Sequence, residues 1–327
     1  MFKYLVFLIF ISKSLENSDV YFTKYINSSS ILRLFKILNI DLKENIGIKV
    51  HTGEEGGKYY LTPEFLKELY NYLENKNGTY IECNAAYNGS RNSTERHNEY
   101  LEKSGWKKNN TRIVIMDEFA HKDSELKVDG TKISINIVGQ HLKDFKSTLV
   151  ITHFKGNNMT GFGGALKHLA TGFASQAGKA NIYTGGKSKN WNLLHYNELN
   201  SSDYIPAMAE AAKSIVDHFT ENKTKTDRIG FINVMSNISK YCDCFGALAP
   251  EPKIEDIGIL ASTDPVALDQ ACLNLIKDCN NSGKGELLEQ IKDLEGEKII
   301  ENAKELKIGI KEYNRIDIDD DKKLFMV

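Results

Sequence analysis

Apolar positions along the chain alternate between two spacings. In "NIGIKVHTG", "TYIECN", "TRIVIMDE", "STLVITHFKG", "DRIGFINVMSNIS" and the start of "DIGILASTDPVALDQACLNLIKD" they cluster into short, β-branched-rich runs that end in polar or glycine-containing loops. Such runs predict buried strands. Between them, "SSSILRLFKILNI", "TPEFLKELYNYLENKNG", "STERHNEYLEKSG" and "DYIPAMAEAAKSIVDHFTENK" repeat their apolar residues at helical spacing. Their boundaries carry helix signals: a serine cap on the first, Thr62 followed by Pro63 on the second, and Ser93 or Thr94 on the third. Asp264 before Pro265 reads as the cap of the next helix. "DVYFTK" and "KEYNRIDID" predict a first and a last strand, and "SELKVDGTKISINIV" a hairpin turning at Asp129-Gly130. The stretch from 283 to 309 is mostly helical in pattern. Strands alternating with helices predict an α/β protein with a largely parallel sheet flanked by helices, a β-hairpin and a second lobe, whose boundary would fall near "GGKSKNWNLLHYNELNSSD".

The 327 residues bound the chain to one or two lobes, and 41% apolar with 26% charged residues is ordinary globular material. A formal net charge of −2 gives no basic footprint for nucleic acid. The five cysteines form no disulfide framework: pairing Cys242 with Cys244 would close a strained ring, so reduced thiols in a cytoplasmic setting are expected. The opening "MFKYLVFLIFISKS" is too short for a membrane span. Residues 1–18 read as an extension, either a leader that would export the chain or a misassigned start with Leu15 as the true initiator. The main α/β domain is 19–327.

In open α/β sheets ligands bind beyond the carboxyl ends of the strands. The residues just past the expected strands are His51, Glu54 and Glu55, then Cys83, Asn84, Tyr87 and Arg91, then His153 and Lys155, then Asn237, Cys242, Asp243 and Cys244. His51, Glu54, His153, Lys155 and Lys167 are the candidate acid–base and anion-handling groups. From Thr152 to His168 the chain carries glycines at 156, 161, 163 and 164 beside Lys155 and Lys167. A helix starting near Gly164 would aim N–H groups at an anion, so Gly161, Gly163, Gly164 and Lys179 are candidate cofactor-binding residues. The same stretch also reads as a structural turn with solvated lysines. Cys83, Cys242 and Cys244 are candidate metal ligands, with a redox thiol and inert buried cysteine as the other readings. Cys272 falls on the apolar face of its helix and reads as core.

The segments "VYFTK", "KVHTGEEGG", "YIECNAAYNGSRNST", "THFKG", "FINVMSNIS" and "DIGILASTDPVALDQA" together resemble the uncharacterised domain-of-unknown-function family 362 (DUF-362) from about Val20 onward. That resemblance implies an iron–sulfur- or ferredoxin-associated protein, with a metal ion or iron–sulfur cluster as cofactor and a ferredoxin-type protein as partner. Some members carry an extra cysteine-rich module that this sequence lacks. Where the family pattern has histidine this chain has Asn157, and His168 stands where asparagine is usual. "GFGGALK", ending at Lys167, is also remotely similar to a segment of the nickel-dependent lactate racemase superfamily. Two readings of function emerge: an oxidoreductase or isomerase acting on a small anionic substrate, or a non-catalytic binding protein for a small anion.

Overall fold

The computed structural model describes residues 17–119, 121–220 and 228–319. The expectations for residues 1–16 lie outside the described residues. In chain order the elements are β1 Ser18–Thr23, α1 Ser28–Leu38, β2 Ile46–Lys49, α2 Pro63–Glu74, β3 Thr79–Glu82, α3 Thr94–Lys103, β4 Ile113–Ile115, β5 Ser124–Lys127, β6 Ile135–Val138 and β7 Ser147–His153. There follow β8 Lys155–Asn157, β9 Gly161–Gly163, α4 Ala165–Phe173, α5 Gln176–Tyr183, α6 Ser201–Thr220, β10 Ile229–Met235, β11 Gly258–Ser262, α7 Pro265–Asp278, α8 Lys284–Asp293, α9 Lys298–Glu305 and β12 Tyr313–Asp317.

Eight strands form one sheet in the order β12-β1-β11-β10-β7-β2-β3-β4. Every neighbouring pair is parallel except the two that involve β11, which runs against both β1 and β10. The expected largely parallel sheet is present. Its central strands are buried on both faces, as crossover helices require. Leu149 and Ile151 of β7, Ile232 and Val234 of β10, and Ile259 and Ala261 of β11 pack with α1, α2 and α3. The alternate residues Val150, Phe231 and Leu260 join the core under α4, α6 and α7. The two-residue side-chain period of a strand divides one apolar run between two cores.

Local signals account for most helix starts. Thr62 accepts from the Phe65 N–H at 3.2 Å, Ser93 from Arg96 N–H at 3.3 Å, and Asp264 from Val266 and Ala267 N–H at 2.8 and 3.0 Å. On α1 the cap is Asn27, whose side chain accepts from Ser30 N–H at 2.9 Å, and not one of the serines. The expected hairpin exists as β5–β6, but Lys127 pairs with Ile135, so the connection is wide and Asp129-Gly130 is not a two-residue turn. The buried Glu210 of α6 explains the width: backbone N–H groups of Thr131, Lys132 and Ile133 wrap its carboxylate at 2.6–3.1 Å. The stretch between α5 and α6 holds two short 3-10 turns, Trp191–Leu193 and Tyr196–Glu198. Among the described residues no helix is long and apolar enough to cross a membrane.

Strand order places the site. From β2 the chain moves outward through β3 to β4, then returns to lay β7 on the other side of β2, with β10 beyond it. The direction of winding reverses between β2 and β7, and a crevice opens at the carboxyl ends of the strands there.

Candidate functional site

A cavity of about 440 Å³ occupies that crevice. It is lined by His51 after β2, Glu82 and Cys83 at the end of β3, Thr152 and His153 at the end of β7, Lys155 of β8, Lys167 and His168 of α4, Lys179 of α5, and the Cys242-Asp243-Cys244 turn after β10. Of the expected site residues, His51, His153, Lys155, Gly163, Gly164, Lys167, Lys179, Cys83, Cys242 and Cys244 all reach this one space. Glu54 and Gly161 do not line it.

Glu54 is a supporting residue. Its carboxylate accepts from Tyr87 Oη at 2.9 Å and Ser90 N at 2.6 Å, takes the Ser90 hydroxyl as well, and lies 3.4 Å from Arg91 Nε. Burial pushes this carboxyl up, but Arg91 and the Ser90 and Tyr87 hydrogen bonds outweigh it and hold it below the usual carboxylate range. Gly161 has φ of 76° at the end of the β8–β9 turn, where a Cβ would lie 2.8 Å from Ile291 Cα. Its glycine serves backbone packing. Asn157 organises the same turn by accepting from Met159 and Thr160 N–H at 2.9 and 3.1 Å.

The expectation of a free helix N-terminus is corrected. The N–H groups of Ala165 and Leu166, which open α4, donate to Asp269 of α7 at 2.7 and 3.0 Å. An internal carboxylate already occupies the anion position. Gly164 permits its approach, since a Cβ there would meet Asp269 Oδ1 at 2.3 Å. Burial raises the Asp269 carboxyl to about 6, against the opposing effect of those N–H groups and of Asn233. The glycine-rich loop builds and orients α4.

The lysines differ sharply. Lys155 is buried and paired with Asp243, a carboxylate that also lies 3.0 Å from His153 Nδ1. Burial lowers the Lys155 ammonium from its usual range, partly offset by Asp243. Lys179 donates to the Ala174 carbonyl at 2.6 Å. Lys167 lines the cavity, and among the described residues no hydrogen bond or ion pair engages its ammonium. Burial and the neighbouring Lys155 lower it to about 8, against the attraction of Asp243.

Beneath the cavity floor lies a buried charge network that the sequence patterns did not reveal. Lys49, fully buried, donates to Glu82 Oε1 at 2.7 Å and to the Val50 carbonyl at 2.5 Å, with His168 Nε2 at 3.1 Å. These three contacts use all three ammonium donors. Glu82 also accepts from Thr52 and Cys83 N–H and from Arg91. Burial opposes its charge, but Lys49 and Arg91 hold it well below the ordinary carboxylate value. His168 Nδ1 faces Thr152 Oγ1 at 3.1 Å, and burial together with Lys49 keeps its ring well below the usual histidine range. His51 accepts from Gly53 N–H on Nδ1, and its Nε2 is 3.1 Å from Arg91. Burial and that guanidinium lower His51 to about 3. Both rings are thereby held neutral. The available signal was a single Lys in "IGIKV" and a single Glu in "TYIEC": a charge inside an otherwise apolar parallel strand must find a buried partner.

The thiols also depart from expectation. Cys242 and Cys244 are joined as a disulfide. Cys83 donates to the Phe173 carbonyl at 3.5 Å, and burial with nearby Asp117 raises its thiol well above the ordinary value. Cys272 lies in the core as expected, and Cys279 is half-buried at the end of α7. An iron–sulfur cluster takes thiolates from several cysteines around one space. A disulfide, a thiol held protonated and two distant cysteines do not make that donor set. Among the described residues, no group of three or more His, Cys, Asp or Glu side chains is arranged to share a metal ion.

Sequence comparison agrees with the family resemblance. The profile of the domain of unknown function DUF362 matches residues 46–274, and the chain belongs to that family. No curated protein matches the chain. Among solved structures it is similar to a Thermotoga maritima protein from a structural genomics programme, at 12% identity and a TM-score of 0.42, over 86% of this chain and 59% of that one. It is also similar to the lactate racemase apoprotein from Thermoanaerobacterium thermosaccharolyticum, at 13% identity and a TM-score of 0.40, over 68% and 51%. The chain thus spans a little more than half the length of each of these proteins.

Proposed function

Taking membership of the DUF362 family as the premise, we propose that this protein is an enzyme acting on a small anionic organic molecule held in the β2–β7 crevice. The observation that carries this reading is Lys167: a cavity-facing ammonium, lowered to about 8, that no described group of the chain engages. A desolvated, unpaired charge is unfavourable in the free protein. A carboxylate or phosphate of the ligand supplies the missing partner, with Lys179 as a second cation lining the cavity. Beside it stand two histidines kept neutral by their surroundings. Lys49 donates to His168 Nε2, which places the ring proton on Nδ1 facing Thr152 at the cavity wall. His51 presents an imidazole beside Arg91. A neutral, weakly basic ring is a hydrogen-bond donor rather than a base, suited to stabilising negative charge that develops on a bound molecule. The donor set supports no iron–sulfur step, and none is invoked.

The test uses the full chain and two probes, succinate and inorganic phosphate, each titrated in thermal melts of wild type and Lys167→Met. One of them should raise the wild-type melting temperature, by the equivalent of about 2.7 kcal/mol at a hundredfold excess over its Kd, and leave the variant unmoved. Equal shifts in both proteins, or none in either, overturn the anion site. Incubation of bound succinate in heavy water then separates an enzyme from a carrier. Deuterium entering the carbon next to the carboxylate, and failing to enter with His168→Asn, supports proton transfer; a ligand recovered without deuterium supports the non-catalytic reading.

A further inference from the structure

The Cys242–Cys244 disulfide is not explained by stability. It joins residues only two apart, and a link that closes so short a loop removes little freedom from the unfolded chain. Nor is it sealed in the core: both half-cystines are half-buried and line the cavity that holds Lys167. The residue between them, Asp243, is buried and binds the Lys155 ammonium and the His153 ring. The disulfide therefore lies in a cation-rich pocket open to a small molecule. Positive surroundings favour thiolate over thiol, and so favour a cysteine as the leaving group in exchange.

We propose that Cys242–Cys244 is a redox-active pair that exchanges with low-molecular-weight thiols bearing a carboxylate, and that Lys167 and Lys179 hold that carboxylate. The proposal rests on the anion site argued above. In the first step the bound thiolate attacks one cysteine sulfur. A mixed disulfide forms, the Cys242–Cys244 bond breaks, and its electron pair leaves on the other cysteine, which takes up a proton. A second small thiolate then attacks the mixed disulfide at the small molecule's own sulfur and releases the remaining cysteine. Two small thiols become one small disulfide, and the protein gains two thiols; the reverse reaction balances in the same way. Lys155, paired with Asp243 between the two cysteines, adds positive charge that favours each departing thiolate.

Alkylation of the denatured, unreduced full chain followed by intact mass should label the three cysteines outside the pair, Cys83, Cys272 and Cys279. Labelling of all five overturns the proposal. The rate of reduction is then compared for 3-mercaptopropionate, 2-mercaptoethanol and cysteamine, each corrected for its thiolate fraction. The anionic thiol should react roughly tenfold faster than the cationic one, and Lys167→Met should bring the ratio towards one. A ratio near one in wild type overturns the exchange. If succinate nevertheless stabilises wild type and not Lys167→Met, the anion site stands while the exchange fails. Cys242→Ser and Cys244→Ser provide a check that does not depend on the lysine: each should keep one thiol of the pair and trap a mixed disulfide with 3,3′-dithiodipropionate, releasing one 3-mercaptopropionate. Absence of that adduct in both overturns the proposal.

Discussion

Lys167→Met should make the free protein more stable. The ammonium lies against the cavity with no partner among the described residues, and its value falls from the ordinary 10.5 to about 8. At about 1.4 kcal/mol per pH unit, that drop is at most about 3 kcal/mol carried by the charged form in the folded state, reduced by whatever solvent in the cavity reaches the half-buried side chain. The sign comes from proton counting. Between pH 8 and 10.5 the unfolded lysine keeps a proton that the folded one has lost, so this group's contribution to stability rises with pH across that window. Below pH 8 the penalty is present in full; above 10.5 it is gone. Methionine keeps the length and apolar stem without the charge, so the variant carries no such term. At pH 7 it should unfold at a higher temperature than wild type by up to about 6 °C, taking roughly 2 °C per kcal/mol for a chain of this size. Urea unfolding of both proteins at intervals from about pH 7 to pH 10.5 should show the advantage shrink towards zero. A variant less stable than wild type at pH 7, or an advantage independent of pH, would refute the claim that Lys167 is an unpaired, desolvated charge. The same substitution should abolish stabilisation by the anion that binds, a trade of stability against function.

Asp269 predicts a second pH signature of opposite sense. Its carboxyl is raised from 3.8 to about 6, so the folded state holds a proton that the unfolded state has lost between those values. The stability of wild type relative to Asp269→Asn should therefore fall by about 3 kcal/mol as pH rises from about 3.5 to 7, measured by urea unfolding. Gly164→Ala places a Cβ 2.3 Å from Asp269 Oδ1 and should cost about 1–3 kcal/mol; an unchanged urea midpoint would mean that α7 yields without strain. Glu82→Gln leaves Lys49 and Arg91 without their shared carboxylate and should destabilise by about 3–5 kcal/mol in the same assay. A smaller loss, below about 1 kcal/mol, would show that Lys49 sheds its proton instead.

Much of the architecture was legible in the chain because its determinants are local. Two-residue and helical periodicities, together with caps such as Thr62, Ser93 and Asp264, depend on neighbours a few positions away. The site was legible in outline for a related reason: in a mostly parallel sheet the polar ends of successive strands must meet at one edge, so His51, Cys83, His153 and Cys242 could be gathered before any coordinates. The role of each group there depended on partners far away in sequence. Lys49 and Glu82 are 33 residues apart and become a pair because β2 and β3 are neighbours. Glu54 looked like an acid–base residue until Arg91, Tyr87 and Ser90 closed around it. The N-terminus of α4 looked free for a ligand, but Asp269, 104 residues away from Ala165, fills it. Lys155 and Lys167 look alike in sequence, yet one has Asp243 and the other has no partner among the described residues. Periodicity and turn chemistry determine which elements form and which end of the sheet is polar. Only the tertiary structure decides which buried charges are neutralised from within, because the free energy of a buried charge is set by the few ångströms around it and not by its place in the chain.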